Sequence, residues 1–182
     1  MEKVITPEFR VSFPHVFKAH AFQDQEPKFR LTMLFDKAAD LSAMKQLASN
    51  AAVEKWGKKI PADLRSPFRD GSEKEDLEGY EGMVFINATS KQKPGVVDEN
   101  VQDIMDETEF YAGCYARATV TAYAYDAMGN RGVSFGLQNV QKLRDGEPFS
   151  GRTKASDDFD AVVKPGAPVD NEPKQAGASV FA

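Results

Sequence analysis

One cysteine and two histidines in 182 residues leave little material for most kinds of site chemistry. Cys114 has no partner for an intramolecular disulfide, and together with His15 and His20 it matches no familiar metal-ligand spacing. It reads as a small buried thiol in a strand. Also absent are a phosphate-cradling GxxxxGK loop and a GxSxG nucleophile elbow; RDGSEK and YDAMGNRG are turns, and two histidines leave little room for the base of a triad. No apolar run approaches the roughly 20 residues of a membrane span, and the N-terminus has no signal-peptide hydrophobic stretch. A cytoplasmic chain that touches no membrane and needs no cofactor is expected. An excess of positive charge is missing too, the formal net charge being -5. That sum argues against a nucleic-acid ligand, but binding responds to the local field.

The acids are bunched. Asp70, Glu73, Glu75, Asp76, Glu78 and Glu81 form one cluster, and Asp98, Glu99, Asp103, Asp106, Glu107 and Glu109 another. The segments between them are basic and almost free of acid. The second cluster, DENVQDIMDE, has carboxylates enough for a two-metal nuclease. However, the strand that should present an acid two residues before a lysine reads NATSK, with Thr89 in that place. A nuclease built on Asp103 and Asp106 is therefore the weaker, enzymatic alternative.

Periodicity supplies the elements. In FRVSFPHVF, Phe9, Val11, Phe13, His15 and Phe17 alternate against Arg10 and Ser12, and Pro14 makes this an edge strand or one with a break. KFRLTMLFD places Phe29, Leu31, Met33 and Phe35 on one face and Lys28, Arg30 and Thr32 on the other. From Asp40 to Trp56 the period becomes helical: Leu41, Met44, Leu47, Ala48 and Ala51 recur, Asp40 can cap, and Gly57 suits the position after the end. Residues 57–82 keep no period and form a long loop of the kind that usually carries function. GMVFINATSK is a third strand, with Met83, Phe85, Asn87, Thr89 and Lys91 opposite Val84, Ile86 and Ala88. CYARATVTAYAYD and VSFGLQNVQKL are a fourth and fifth strand, joined as a hairpin around Gly129 and Asn130.

Five or more mostly antiparallel strands with one helix fit a closed or nearly closed small barrel or a sandwich. The fourth strand favours the barrel. Ala116, Ala118, Ala122 and Ala124 suit an inward face where the wall curves tightly or a helix plugs the end, which turns Tyr115, Arg117, Thr119, Tyr123 and Tyr125 outward. Aromatic rings mixed with cations and hydrogen-bonding groups suit a single strand of nucleic acid, because bases stack on rings while Lys and Arg follow the phosphates. The candidate binding residues are Lys58, Lys59, Arg65, Phe68, Arg69, Phe85, Asn87, Lys91, Lys93, Tyr115, Arg117, Tyr123 and Tyr125. Those of the loop KWGKKIPADLRSPFRDG belong if it folds over the same face. Past Gly151, Asp, Lys, Ala, Gly and Pro dominate with nearly cancelling charge, so a domain over 1–151 and a flexible tail over 152–182 are expected.

With SFPHVF, WGKKIPADLRSPFRDG, SKQKPGVVD, YAGCYARATVTAYAYD and VSFGLQNVQKLRDGEPFSGR in order, residues 8 to 160 resemble a family of bacteriophage single-stranded DNA-binding proteins. The resemblance implies an OB-fold, a mainly β protein with one main helix and a long loop, and a non-enzymatic role in coating DNA during phage replication or recombination. It also implies an infected bacterial cell as the setting. In the usual OB order the helix follows the third strand, whereas here it follows the second. Some phage proteins of this class end in an acidic tail tipped with an aromatic. Here Phe181 is next to last and lysines thin the acids. Single-stranded DNA is thus the main expected partner. Double-stranded DNA, whose bases are already stacked, would use only the cations and bind more weakly. Replication proteins at the tail and a second copy of the chain are further candidates, and the alternative of another class is a replication or recombination adaptor working through protein contacts.

Overall fold

A computed structural model describes residues 2–149 and 158–162. The strands are β1 (Val4–Ile5), β2 (Phe9–His20), β3 (Lys28–Asp36), β4 (Arg69–Asp70), β5 (Met83–Ser90), β6 (Gly95–Val97), β7 (Tyr115–Ala127) and β8 (Asn130–Arg144), with one helix, α1 (Ser42–Trp56). Five strands close a ring: β2 pairs with β3, β3 with β5, β5 with β8, β8 with β7, and β7 with β2. The β5–β8 pair is parallel and the other four are antiparallel. This is the OB-fold-like arrangement, and closure removes the long free edges that an open sheet would expose. The helix does fall between the second and third ring strands, and β1, β4 and β6 are additions to the ring. The tail expected over 152–182 lies outside the described residues apart from 158–162. No helix among the described residues is long and apolar enough to cross a membrane.

Alternation decides the core. Leu31, Met33 and Phe35 from β3, Ile86 and Ala88 from β5, Ala116, Ala118 and Val120 from β7, and Phe135, Leu137 and Val140 from β8 meet inside the ring. On β7 the small side faces in and Arg117 and Tyr123 face out. Further along that strand the alanines do a second job. Helix α1 packs on β7 and β8, and Ala51 of the helix lines one seam with Ala122 and Ala124, where larger residues would hold the helix backbone away. Met44, Leu47, Ala48 and Ala51 are the buried stripe of the helix, as their spacing predicts. Asp40 accepts from the Ser42 N–H at 3.0 Å and so closes the turn that leads into the helix, which starts at Ser42.

Strand β2 departs from simple alternation. Phe9 and Val11 are buried, but so is Ser12, while Phe13 is exposed and Val16 is fully buried. Phe13 has a φ of 46°, and the register with β3 shifts between Ser12 and His15. Pro14 sits in that shift, since it has no N–H for the ladder. The strand is broken there and is no edge, lying between β3 and β7. The extra residue moves Phe13 and His15 off the core face. The β7–β8 turn also differs by one position from its expected place: Met128 and Gly129 are its two central residues, both with positive φ, as a type I′ turn requires.

The loop of residues 57–82 is anchored at three places. Arg65 bridges to Gly132 of β8, β4 pairs with β5, and a single 3-10 turn follows over Gly71–Lys74. Beyond it Tyr80 joins Leu34 and Phe85 in a second small core on the outside of the ring, with the Tyr80 and Ser12 hydroxyls hydrogen-bonded at 2.8 Å. Gly71 permits this docking, because a Cβ there would overlap the Tyr80 carbonyl oxygen.

Candidate nucleic-acid interface

Two clefts adjoin on the outer face of the ring and share Arg69 and Asn87. The first, about 530 Å³, lies between the loop and strands β5, β7 and β8, and is lined by Arg65, Phe68, Arg69, Asn87, Tyr125 and Ser134 among others. The second, about 500 Å³, lies between the β2–β3 hairpin and the end of the loop, with Phe13, His15, His20, Phe22, Arg30 and Thr32 in its wall. Together they form one groove across the outward sides of β3 and β5.

Each wall residue is held by the local fold. The Arg65 N–H donates to the Arg131 carbonyl at 2.9 Å, and the Val133 N–H donates to the Arg65 carbonyl at 3.3 Å, which fixes the loop along β8. The Arg65 guanidinium reaches Asn130 at 3.2 Å. Phe68 stands edge-on against the core ring of Phe135, with centroids 5.6 Å apart. Arg69 lies over the ring of Phe85 at 4.9 Å and is paired with Glu73 at 2.8 Å. Asn87 faces Thr32 across the β3–β5 register, and the Thr32 hydroxyl donates to Asn87 Oδ1 at 2.6 Å, fixing the amide. Gly132 leaves room for both neighbours, since a Cβ there would come within 2.6 Å of the Tyr125 hydroxyl and 2.9 Å of the Arg65 carbonyl oxygen. Burial, and then the nearby His20 and Arg30, hold the His15 pKa below its ordinary value.

Of the residues proposed from sequence, the groove thus gathers Arg65, Phe68, Arg69, Asn87 and Tyr125. Phe85 does point outward, yet the folded loop closes over it and leaves it 2% exposed. It contributes by seating Arg69 and offers no open ring for stacking. Tyr123, 40% exposed, lies in the seam with Ala51, Glu54 and Lys55 of the helix. Tyr115 is at the other end of β7 beneath Arg10 and Arg144, whose guanidinium is 3.8 Å from its ring centroid. Arg117 donates to Gln141 at 2.8 Å and lines a shallow depression with Ile5, Val97 and Val101. Lys91 stands 3.9 Å from Glu26, Lys93 lines a small hollow beside Pro94 and Met105, and Lys58 and Lys59 are exposed just past the helix. β7 is 13 residues long, and a twisted strand of that length cannot aim all its outward side chains at one site.

Sequence reasoning missed Phe13, His15, His20, Phe22, Arg30 and Thr32. Arg30 and Thr32 had a legible signal: they form the outward face of KFRLTMLFD, and that face lies directly opposite Thr89 and Asn87 in the register. Phe13 and His15 had none short of the bulge. Among the described residues, no three His, Cys, Asp or Glu side chains are grouped so as to hold a metal ion. Two acids of DENVQDIMDE are engaged in turns instead. Asp98 accepts from the N–H groups of Asn100 and Gln102, and Asp106 from that of Thr108.

A family model described as Enterobacter phage Enc34, ssDNA-binding protein, matches residues 2–170. The chain belongs to this family. A relative, protein p50 of Acyrthosiphon pisum secondary endosymbiont phage 1, is 33% identical over 172 residues, which cover 87% of this chain and 92% of p50. The fold is similar to that of the single-stranded DNA-binding protein from bacteriophage Enc34 in complex with ssDNA, at a TM-score of 0.68 and 23% identity over 81% of this chain and 89% of that one. It is also similar to gp2.5, a single-stranded DNA-binding protein encoded by bacteriophage T7, at a TM-score of 0.61 and 10% identity over 85% of this chain and 98% of that one.

Proposed function

We propose that the chain binds single-stranded DNA along the outer groove, with little sequence preference and no chemistry of its own, and coats DNA exposed during phage replication or recombination in the host cytoplasm. The observation that carries this is the meeting of Arg65, Phe68, Arg69, Asn87 and Tyr125 in one cleft, continued by Arg30, Phe13 and Phe22 in the next. Rings and cations alternate along it, and rings accept any base because every base has a π face. The outward side of the second and third strands is also where OB-folds take oligonucleotides, and family membership agrees with that ligand. Duplex DNA offers phosphates but no free base faces, so it binds more weakly. In the same reading, replication proteins contact residues 152–182 and a second copy of the chain binds alongside. Deletion of 152–182 and sedimentation of the intact chain test those two contacts.

Anisotropy of labelled oligo-dT at two salt concentrations tests the main reading. If about four phosphates are neutralised, as Arg30, Arg65, Arg69 and Lys74 allow, log K falls against log salt with a slope near -3, or roughly fifty-fold between 50 and 200 mM. Absence of binding at low salt, or an affinity indifferent to salt, overturns it.

A further inference from the structure

The second cleft holds a combination that stacking and phosphate contacts do not by themselves call for. His15 and His20 lie face to face, with ring centroids 4.3 Å and planes 24° apart. Across the register on β3, His15 is paired with Arg30 and His20 with Lys28. The loop adds Arg69, Lys74 and Tyr80. Among the described residues no carboxylate lines this cleft: Glu26 of the β2–β3 connection is 3.9 Å from Lys91, Glu73 is taken by Arg69 and Asp70 by Lys37, and Asp24 is outside the lining. Arg30 Nε is buried without a hydrogen-bond partner among the described residues. The exposed rings of Phe13 and Phe22 flank these groups. Two imidazoles this close, beside a guanidinium and with no anion among them, repel one another when both are charged. The cleft lacks the negative charge that would complete it.

We propose that this cleft receives a phosphate of the bound strand and that DNA binding there delivers a proton to His15. The proposal rests on the DNA-binding function above and adds a proton-linked affinity to it. In the free protein burial, and then its stacked partner His20 and Arg30, oppose a charge on His15. A phosphate placed among the three is attracted to both and favours the imidazolium. A group that holds its proton more tightly in the complex than in the free protein makes the complex tighten as pH falls. The β2 bulge is what puts His15 there, since without the extra residue its ring would face the core.

Two measurements on the full chain test this. Oligo-dT affinity by anisotropy from about pH 6 to about pH 8, at fixed low salt, should fall by up to about tenfold for a His15 shift of one unit. Calorimetric titration with oligo-dT near neutral pH, in buffers of different ionisation heat, should show net proton uptake. His15→Gln should flatten the pH profile and abolish the uptake. Should that variant fail to fold, the imidazole signals of the unmodified chain serve instead, with the His15 titration moving upward when oligo-dT is added. Equal binding at every pH, or uptake that survives in His15→Gln, overturns the proton link and leaves the DNA-binding function standing. No oligo-dT binding at any pH overturns both.

Discussion

The outer groove and the acidic loop over residues 98–109 sit on different parts of the same sheet and use charge in opposite ways. In the groove Arg30, Arg65, Arg69 and Lys74 line open space, and Glu73, bound to Arg69, is the carboxylate among the lining residues. In the acidic loop two of the carboxylates are spent on the backbone: Asp98 and Asp106 accept from nearby N–H groups, Ile104 is buried as an anchor, and Gln141 ties the loop to Arg117. Acids that close turns hold a loop in shape, whereas cations that line a cleft keep part of their donor capacity for a ligand. A net charge of -5 therefore says little about what the groove can bind, because Glu73 is the one carboxylate among its described lining residues although the loop carries several more.

Removing the scaffold of the groove should break this contrast most severely. Gly71→Ala forces the loop off Tyr80 and takes Arg65, Phe68 and Arg69 from their places. A loss of about 1–3 kcal/mol in stability, as for other overpacked sites, should accompany near loss of oligo-dT binding; unchanged melting and binding would show that the loop docks otherwise. Removing the charge comes next. Arg65→Ala with Arg69→Ala should lower the salt slope by about 1.4 and the affinity at 50 mM salt by about fifty-fold, while Arg117→Ala leaves both unchanged.

A smaller effect sharpens the geometry. Tyr125→Ala should cost about 1 kcal/mol of binding, the low end for one stacked base, and Tyr123→Ala nothing, although the two stand on one face of one strand. Equal losses would place the DNA along β7 rather than β5, and a change in neither would favour the adaptor reading. The smallest effects separate the regions by pH. The His15 pKa is lowered in the folded chain, so the unfolded chain binds more protons and thermal stability should decline as pH falls below about 6.5. Hydrogen bonds from Thr108 lower the Asp106 pKa, so its contribution is present above about 3.9 and lost only as pH falls through its lower folded value. Melting curves of His15→Gln and Asp106→Asn should lose these two steps separately.

Much of the ring was legible in the chain itself. Period-two runs in KFRLTMLFD, GMVFINATSK, YARATVTAYAYD and VSFGLQNVQKL, and the helical run from Leu41 to Ala51, each state which side is apolar, and burying apolar surface is what fixes strand faces and register. About half of the candidate groove was legible for the same reason, since Arg65, Phe68, Arg69, Asn87 and Tyr125, which line it, were picked as outward or loop residues of suitable chemistry. The remainder depended on where outward faces lie relative to one another. Tyr115, Arg117, Tyr123 and Tyr125 share a side in sequence but are divided among four surroundings, because a long strand twists. Phe85 is outward and still buried, because a distant loop seats Tyr80 on it. Phe13 and His15 change sides at a bulge around Pro14.

By itself, then, the sequence determined the five ring strands, the helix, the inward alanines of β7 and the kind of chemistry the surface offers, all of which follow from local periodicity and residue type. Only the tertiary structure decided which of those surfaces form one groove. Ring closure sets β3 beside β5, and loop docking brings residues 65–80 over them. Both are contacts between residues far apart in the chain, on which short-range patterning is silent.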